Sequence, residues 1–270
     1  MAVTVISEPV EKLNLRQVQE RCLNLAAEFD KICTRHNIPY YMIGGTMLGA
    51  IRHKGFIPWD DDMDFGVPYE YYDEMIKVMN EELPQPYRCS TFESSKAHFM
   101  PFVKIEDSAT ILDDRQVSLP LAEKMGLNID VFPLYHCDKD ISALNKITAP
   151  TKIGNKIYTD STTRGALTQI IKKTCRILCP FKLSWFNRKS LQRASKLQEG
   201  PFLSNVFGRW GIREYCPESW YGDKRFEFEG VLLRGVESYD LYLSQVYGNY
   251  MQLPPKAQQY THSENAFVKD

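Results

Sequence analysis

The sequence predicts a mixed α/β fold, an α+β arrangement of helices around a mixed sheet, on three observations. The first third alternates helical and strand-like hydrophobic periods. Four aspartates within five positions, Asp60, Asp61, Asp62 and Asp64, are threaded with apolar residues, and runs rich in Val, Ile and Phe recur to about residue 135.

Leu15, Val18, Cys22, Leu25, Ala26, Phe29, Ile32 and Cys33 recur at spacings of three and four, which predicts a helix over 15–33. Asn14, with Gln17 three residues on, is the expected cap, and Asn37 and Pro39 end the pattern. Tyr40 to Ile43 is a short apolar run before two glycines and reads as a buried strand. A helical pattern follows in TMLGAIR, and the alternation of acidic and apolar residues in WDDDMDFGV reads as a second strand. Pro68 opens a predicted helix through about Leu83. Further strands are expected at 99–105, 109–112, 127–132 and 226–233, and helices at 166–179, 184–198 and 239–247. The expected organisation is a catalytic core over 1–135 and an elaboration over 136–270 packed on it as one structural domain, because no repeat or low-complexity linker separates them.

A hydrophobic fraction of 43% with 25% charged residues belongs to a packed globular chain, which excludes disordered and fibrous classes. A formal net charge of −1 gives no global pull toward nucleic acid, so no nucleic-acid partner is expected. The seven cysteines are odd in number and form no CxxC pair, which reads as neither a disulfide scaffold nor a zinc site and fits a reducing compartment. The start, MAVTVISEPVEKLN, lacks a basic n-region and a long apolar run. No stretch approaches the roughly 18 apolar residues that a membrane span needs. The expectation is a cytoplasmic protein with at most peripheral contact at the inner face of a membrane.

In a strand, Asp62 and Asp64 would share one face while Met63 and Phe65 fill the other. Two carboxylates about 5 Å apart repel by roughly 3 kcal/mol at an effective dielectric near 20. A hard divalent cation, Mg²⁺ or Mn²⁺, removes that repulsion and takes carboxylates in ones and twos with substrate phosphates completing its shell. A solvated acidic turn is the competing reading, and for Asp60 and Asp61 it stands level. Asp130 in GLNIDVFPL is the expected third acid, because it is the one carboxylate inside an apolar run and a lone buried acid needs a partner. Gly44, Gly45 and Thr46, between an apolar strand and a helix start, suit a turn whose backbone amides approach phosphate. Arg52 and Lys54 flank His53 in a basic loop whose cations are candidate phosphate ligands. His53 itself reads as solvated.

With these residues in place, YMIGGTMLGAIRHKGFIPWDDDMDFGV (41–67) resembles the signature of the LicD family. The resemblance continues in KIEDSAT (104–110), in GLNIDVFPL (126–134), in FEGV (228–231) and in YGNYMQLPP (247–255). It implies a nucleotidyltransferase-like core with a partly helical C-terminal elaboration. It also implies transfer of phosphocholine from CDP-choline to glycans of lipopolysaccharide or teichoic acid type, with fukutin and fukutin-related protein as relatives that use CDP-ribitol. By the same resemblance Asp62 and Asp64 match a metal-binding pair, Asp130 the third acid, Gly44 and Gly45 the phosphate-side turn, and Lys104 a family lysine facing the donor. Asp130 is left open as either ligand or general base. Glu106 stands where a basic residue is expected.

Two other functions compete: a strict nucleotidyltransferase, which would release pyrophosphate, and a nucleotide- or glycan-binding module without turnover. Residues 166–186, ALTQIIKKTCRILCPFKLSWF, hold Lys172, Lys173, Arg176 and Lys182 with no acid. Such a stretch suits either a core helix with solvated charges or contact with an anionic membrane carrying a lipid-linked acceptor.

Overall fold

The computed structural model describes residues 11–269 apart from 96, 114–123, 139–140, 159–170, 173, 176, 180–181, 198, 209–213, 260 and 262–264. Its centre is a mixed sheet. Strands β2 (Tyr41–Met42), β3 (Asp64–Pro68), β4 (Tyr87–Ser90), β5 (Val103–Asp107) and β7 (Leu127–Cys137) lie in the order β2-β3-β7-β5-β4. The β3–β7 pair is parallel and the other pairs in this path are antiparallel. The far end of β7 also pairs with β8 (Phe202–Ser204), which pairs with β9 (Tyr215–Pro217). Apart from this sheet, β6 (Thr110–Leu112) pairs with β12 (Ala266–Val268), and β12 with β1 (Glu11–Lys12).

Helix α1 (Leu15–Arg35) begins in a full capping box between Asn14 and Gln17 and buries the periodic stripe read from the sequence. Phe29 of that stripe meets Tyr40 and Phe65 at ring-centroid distances of 5.0 and 5.2 Å, which locks α1 to the sheet. Arg21 adds an ion pair of 2.6 Å to the buried Asp107 at the end of β5. On the polar side, α1 holds the acidic loop by its backbone: Gln19 Nε2 donates to the Asp60 carbonyl at 2.8 Å.

Several elements differ from expectation. The second strand begins only at Asp64, because Pro58 and Trp59 form a turn and 60–63 run without regular pairing. Helix α2 (Gly44–Arg52) includes both glycines as its first residues. Pro68 is followed by a single 3₁₀ turn, and helix α3 (Tyr72–Glu82) starts after it. The run expected as one strand at 226–233 is a hairpin, β10 (Arg225–Phe228) and β11 (Val231–Arg234), which Glu229 and Gly230 turn at φ of 48° and 83°. Helix α4 (Ile141–Tyr158) had no sequence expectation. It packs on α5 (Leu183–Ala194), which matches the helix expected at 184–198, and α6 (Tyr239–Tyr247) matches the last one. The helix expected at 166–179 lies partly outside the described residues.

Candidate active site

Four strands each contribute one residue to a line across the sheet. Ser90, Lys104, Asp130 and Asp64 are successive Cα partners on β4, β5, β7 and β3, so their side chains share a face. Lys104 Nζ lies 2.5 Å from Asp130 Oδ1 and 2.8 Å from Asn128 Oδ1. The amide of Asp64 donates to Thr46 Oγ1 at 2.7 Å, and its carbonyl accepts from Ile43 N at 3.1 Å, which ties β3 to the start of α2.

The α2 start needs glycine for two reasons. Gly44 adopts φ of 54°, and a Cβ there would sit 3.3 Å from Asp64 Oδ2; a Cβ on Gly45 would sit 3.0 Å from Asp60 Oδ2. The Gly44 amide, expected to face phosphate, instead donates to the Tyr242 hydroxyl at 2.8 Å. That hydroxyl donates to Glu214 Oε1 at 3.0 Å, and Glu214 Oε2 accepts from Asn205 Nδ2 at 3.1 Å. Glu214 is buried on the acid side of the glycine turn.

The electrostatics follow from this crowding. Burial first, then the charges of Asp62, Asp130, Glu214 and Asp60, hold the Asp64 carboxyl well above the usual carboxylate range. Burial pushes Glu214 up to about 7, against the lowering pull of its hydrogen bonds from Tyr242 and Asn205. The Tyr242 and Tyr247 phenols are raised by burial and by nearby acids and stay neutral.

The structure thus brings together Gly44, Gly45, Thr46, Asp64, Lys104 and Asp130, with Asp62 close enough to act on Asp64. Asp62 is exposed, whereas Asp61, a candidate for a solvated turn, is buried. In the basic loop, Arg52 Nη1 donates to the Tyr250 carbonyl at 2.7 Å, and Lys54 is an exposed residue at φ of 59° whose carbonyl accepts from Glu229 N. Both contacts tie the end of α2 to the C-terminal part of the chain. Glu106 is fully buried, and its carboxylate accepts from Arg88 Nε at 2.7 Å, from Gly126 N at 2.8 Å and from Ser90 Oγ. Its charge is spent inside the sheet. Sequence reading missed Glu214, Tyr242 and Tyr247, although Tyr247 opens the YGNYMQLPP segment.

Among the described residues no three His, Cys, Asp or Glu side chains form a ready-made metal-ligand set. The donor chemistry still fits a hard divalent cation: the fold holds Asp64 beside its acidic neighbours against their repulsion, and Mg²⁺ sites commonly take one or two carboxylates and leave the rest to substrate phosphates.

Comparison with known proteins bears on this arrangement. Residues 37–153, which contain all three candidate acids and Lys104, match the family described as LicD/FKTN/FKRP, nucleotidyltransferase domain. The chain is 30% identical over 263 residues to the lipopolysaccharide cholinephosphotransferase LicD of Haemophilus influenzae, covering 94% of this chain and 97% of that protein. It is also 39% identical over 69 residues to the uncharacterized protein RP689 of Rickettsia prowazekii, 26% of that protein's length. The solution structure of the antibiotic-resistance factor ANT(2'')-Ia aligns over 68% of this chain and 96% of its own at 12% identity, with a TM-score of 0.26, too low to support an argument.

Proposed function

This chain belongs to the LicD family, and from that premise we propose that it transfers phosphocholine from CDP-choline to a hydroxyl of a lipopolysaccharide or related cell-surface glycan, with Mg²⁺ or Mn²⁺ bound. The observation that carries the reading is the line of Asp64, Asp130 and Lys104 across three paired strands, with Asp62 at its open end.

Asp62, Asp64 and Asp130 would hold the cation, which when bound offsets charge on the donor diphosphate and the leaving nucleotide. Thr46 and Ile43 fix the backbone of Asp64, and the absence of a side chain at Gly44 leaves room for its carboxylate. Lys104 holds one oxygen of Asp130 and keeps a cation beside the acids for the donor's phosphates. Asp130 is placed either to join the ligands or to take the proton of the acceptor hydroxyl.

The test is a panel of CDP-linked donors with protein and Mg²⁺ or Mn²⁺. CMP release with CDP-choline, dependent on the cation, is expected. Release of pyrophosphate from a nucleoside triphosphate in its place would favour a strict nucleotidyltransferase, and no turnover with any donor would favour a binding module. Within that assay, Lys104→Met should raise the KM for donor by about tenfold with a smaller change in kcat, because a charge contact to the donor is lost. Unchanged KM and kcat would remove Lys104 from the site.

A further inference from the structure

Between residues 141 and 198 the sequence holds twelve Lys and Arg and a single acid, Asp160, in a chain whose totals are 33 basic and 34 acidic. Everything outside this segment is therefore acidic in balance. The described part of the segment is mainly helical. Its two long helices are joined through Thr151, whose amide donates to Ser190 Oγ at 3.1 Å, and Asn187 Nδ2 donates to the Phe99 carbonyl at 2.9 Å, which anchors the unit to the body of the protein. Lys146, Lys152, Lys156, Lys189, Arg193 and Lys196 are exposed. A cavity of about 570 Å³ is lined by Pro150, Trp185, Lys189, Gln192, Arg193 and Lys196, three of them cations beside an indole.

The second observation is an inverted helical stretch. The described residues from 171 to 178 are helical, and Ile171, Ile177 and Leu178 are 54%, 75% and 74% exposed while Lys172 is buried at 6%. Ile171, Thr174 and Leu178 follow one another at helical spacing on the exposed side. Aliphatic side chains turned to water, in a segment rich in exposed cations, match a surface that is anionic at the headgroups and apolar just beneath. A phosphate backbone of nucleic acid would use the cations and leave the aliphatic residues uncovered.

We propose that the described helices within 141–198 dock on an anionic lipid bilayer, their basic residues on the headgroups and Ile171, Ile177 and Leu178 in the interfacial layer. Docking there would present the acid line to acceptors carried in that membrane, a consequence that rests on the function proposed above. The docking itself needs no turnover.

Co-sedimentation of the full chain with phosphatidylglycerol vesicles and with phosphatidylcholine vesicles, at low and high salt, tests it. The protein should pellet with phosphatidylglycerol at low salt and not with phosphatidylcholine. Lys152→Glu with Lys189→Glu should weaken that binding by at least about tenfold, since each basic residue at such a surface contributes on the order of a several-fold factor. Ile177→Ser with Leu178→Ser should weaken it by several-fold, including at high salt where the charge contribution is screened. Thermal melting checks that these surface variants fold, and CMP release in the absence of lipid should be unchanged in both, which separates failure here from failure of the catalytic reading. No pelleting with phosphatidylglycerol at low salt, or equal pelleting with both lipids, overturns the proposal. So does single-stranded RNA bound as tightly as the vesicles with the serine variant unaffected, which would make the unit a polyanion-binding surface.

Discussion

Asp64→Asn is expected to lower CMP release by about a thousandfold, the upper end of the scale for removing one preorganised electrostatic contact from a reacting centre. It should also leave the metal-free protein as stable as before, or more so. The two effects share one cause. The Asp64 carboxyl is half-buried, crowded by Asp62, Asp130, Glu214 and Asp60, and held well above its ordinary range, so the fold carries a carboxylate it would be easier to keep neutral. Asparagine is nearly isosteric and keeps the backbone bonds to Thr46 and Ile43. Melting in EDTA should therefore give an equal or higher Tm for the variant, and added Mg²⁺ should raise the Tm of the wild type alone. Wild-type turnover in Asp64→Asn would end the reading of this acid line as the reacting centre.

Glu214 gives the second large expected effect, on stability against pH. Its carboxyl moves from an ordinary 4.5 to about 7 on folding, so the folded state keeps a proton that the unfolded chain releases. The stability this contributes is fully present below pH 4.5 and is lost as pH rises through about 7. In the limit the loss is roughly 3 kcal/mol. Glu214→Gln keeps an acceptor for Tyr242 and cannot ionise. Unfolding in EDTA should show the variant gaining on the wild type by about 2–3 kcal/mol between about pH 5 and pH 8. A difference independent of pH would mean that Glu214 titrates as an exposed carboxylate.

The parts of this molecule legible in the sequence are those whose cause is local. α1 announces itself by period and cap, and the acids by their alternation with Met63 and Phe65. The β10–β11 hairpin was hidden because its apolar residues run on through Glu229 and Gly230, and only the positive φ at both positions shows the turn. α4 carries Pro150 and Gly154 inside it, residues that weaken a helical pattern. Packing overrides them: a Cβ on Gly154 would meet Phe186 and Leu183 at under 3 Å, so the small residue is what lets α5 approach. Glu214 and Tyr242 could not be read at all, since Tyr242 joins the site through a bond to Gly44 across 198 residues and Glu214 is hydrogen-bonded to Tyr242. The contacts of the basic loop were equally illegible, since Arg52 meets Tyr250 and Lys54 meets Glu229, partners far along the chain.

The order of strands has a consequence for how the protein is made. Among the five central strands, β7 is the last to leave the ribosome, yet it lies in the middle, between β3 and β5. Until it emerges, β2–β3 and β4–β5 are two hairpins, each with an open edge whose proper partner does not yet exist. Insertion of β7 zips these halves together and in the same step brings Asp130 alongside Asp64 and Lys104. The acids close in sequence, Asp60, Asp62 and Asp64, are together from the start, and the added repulsion from Asp130 arrives only with the strand that completes the sheet able to withstand it.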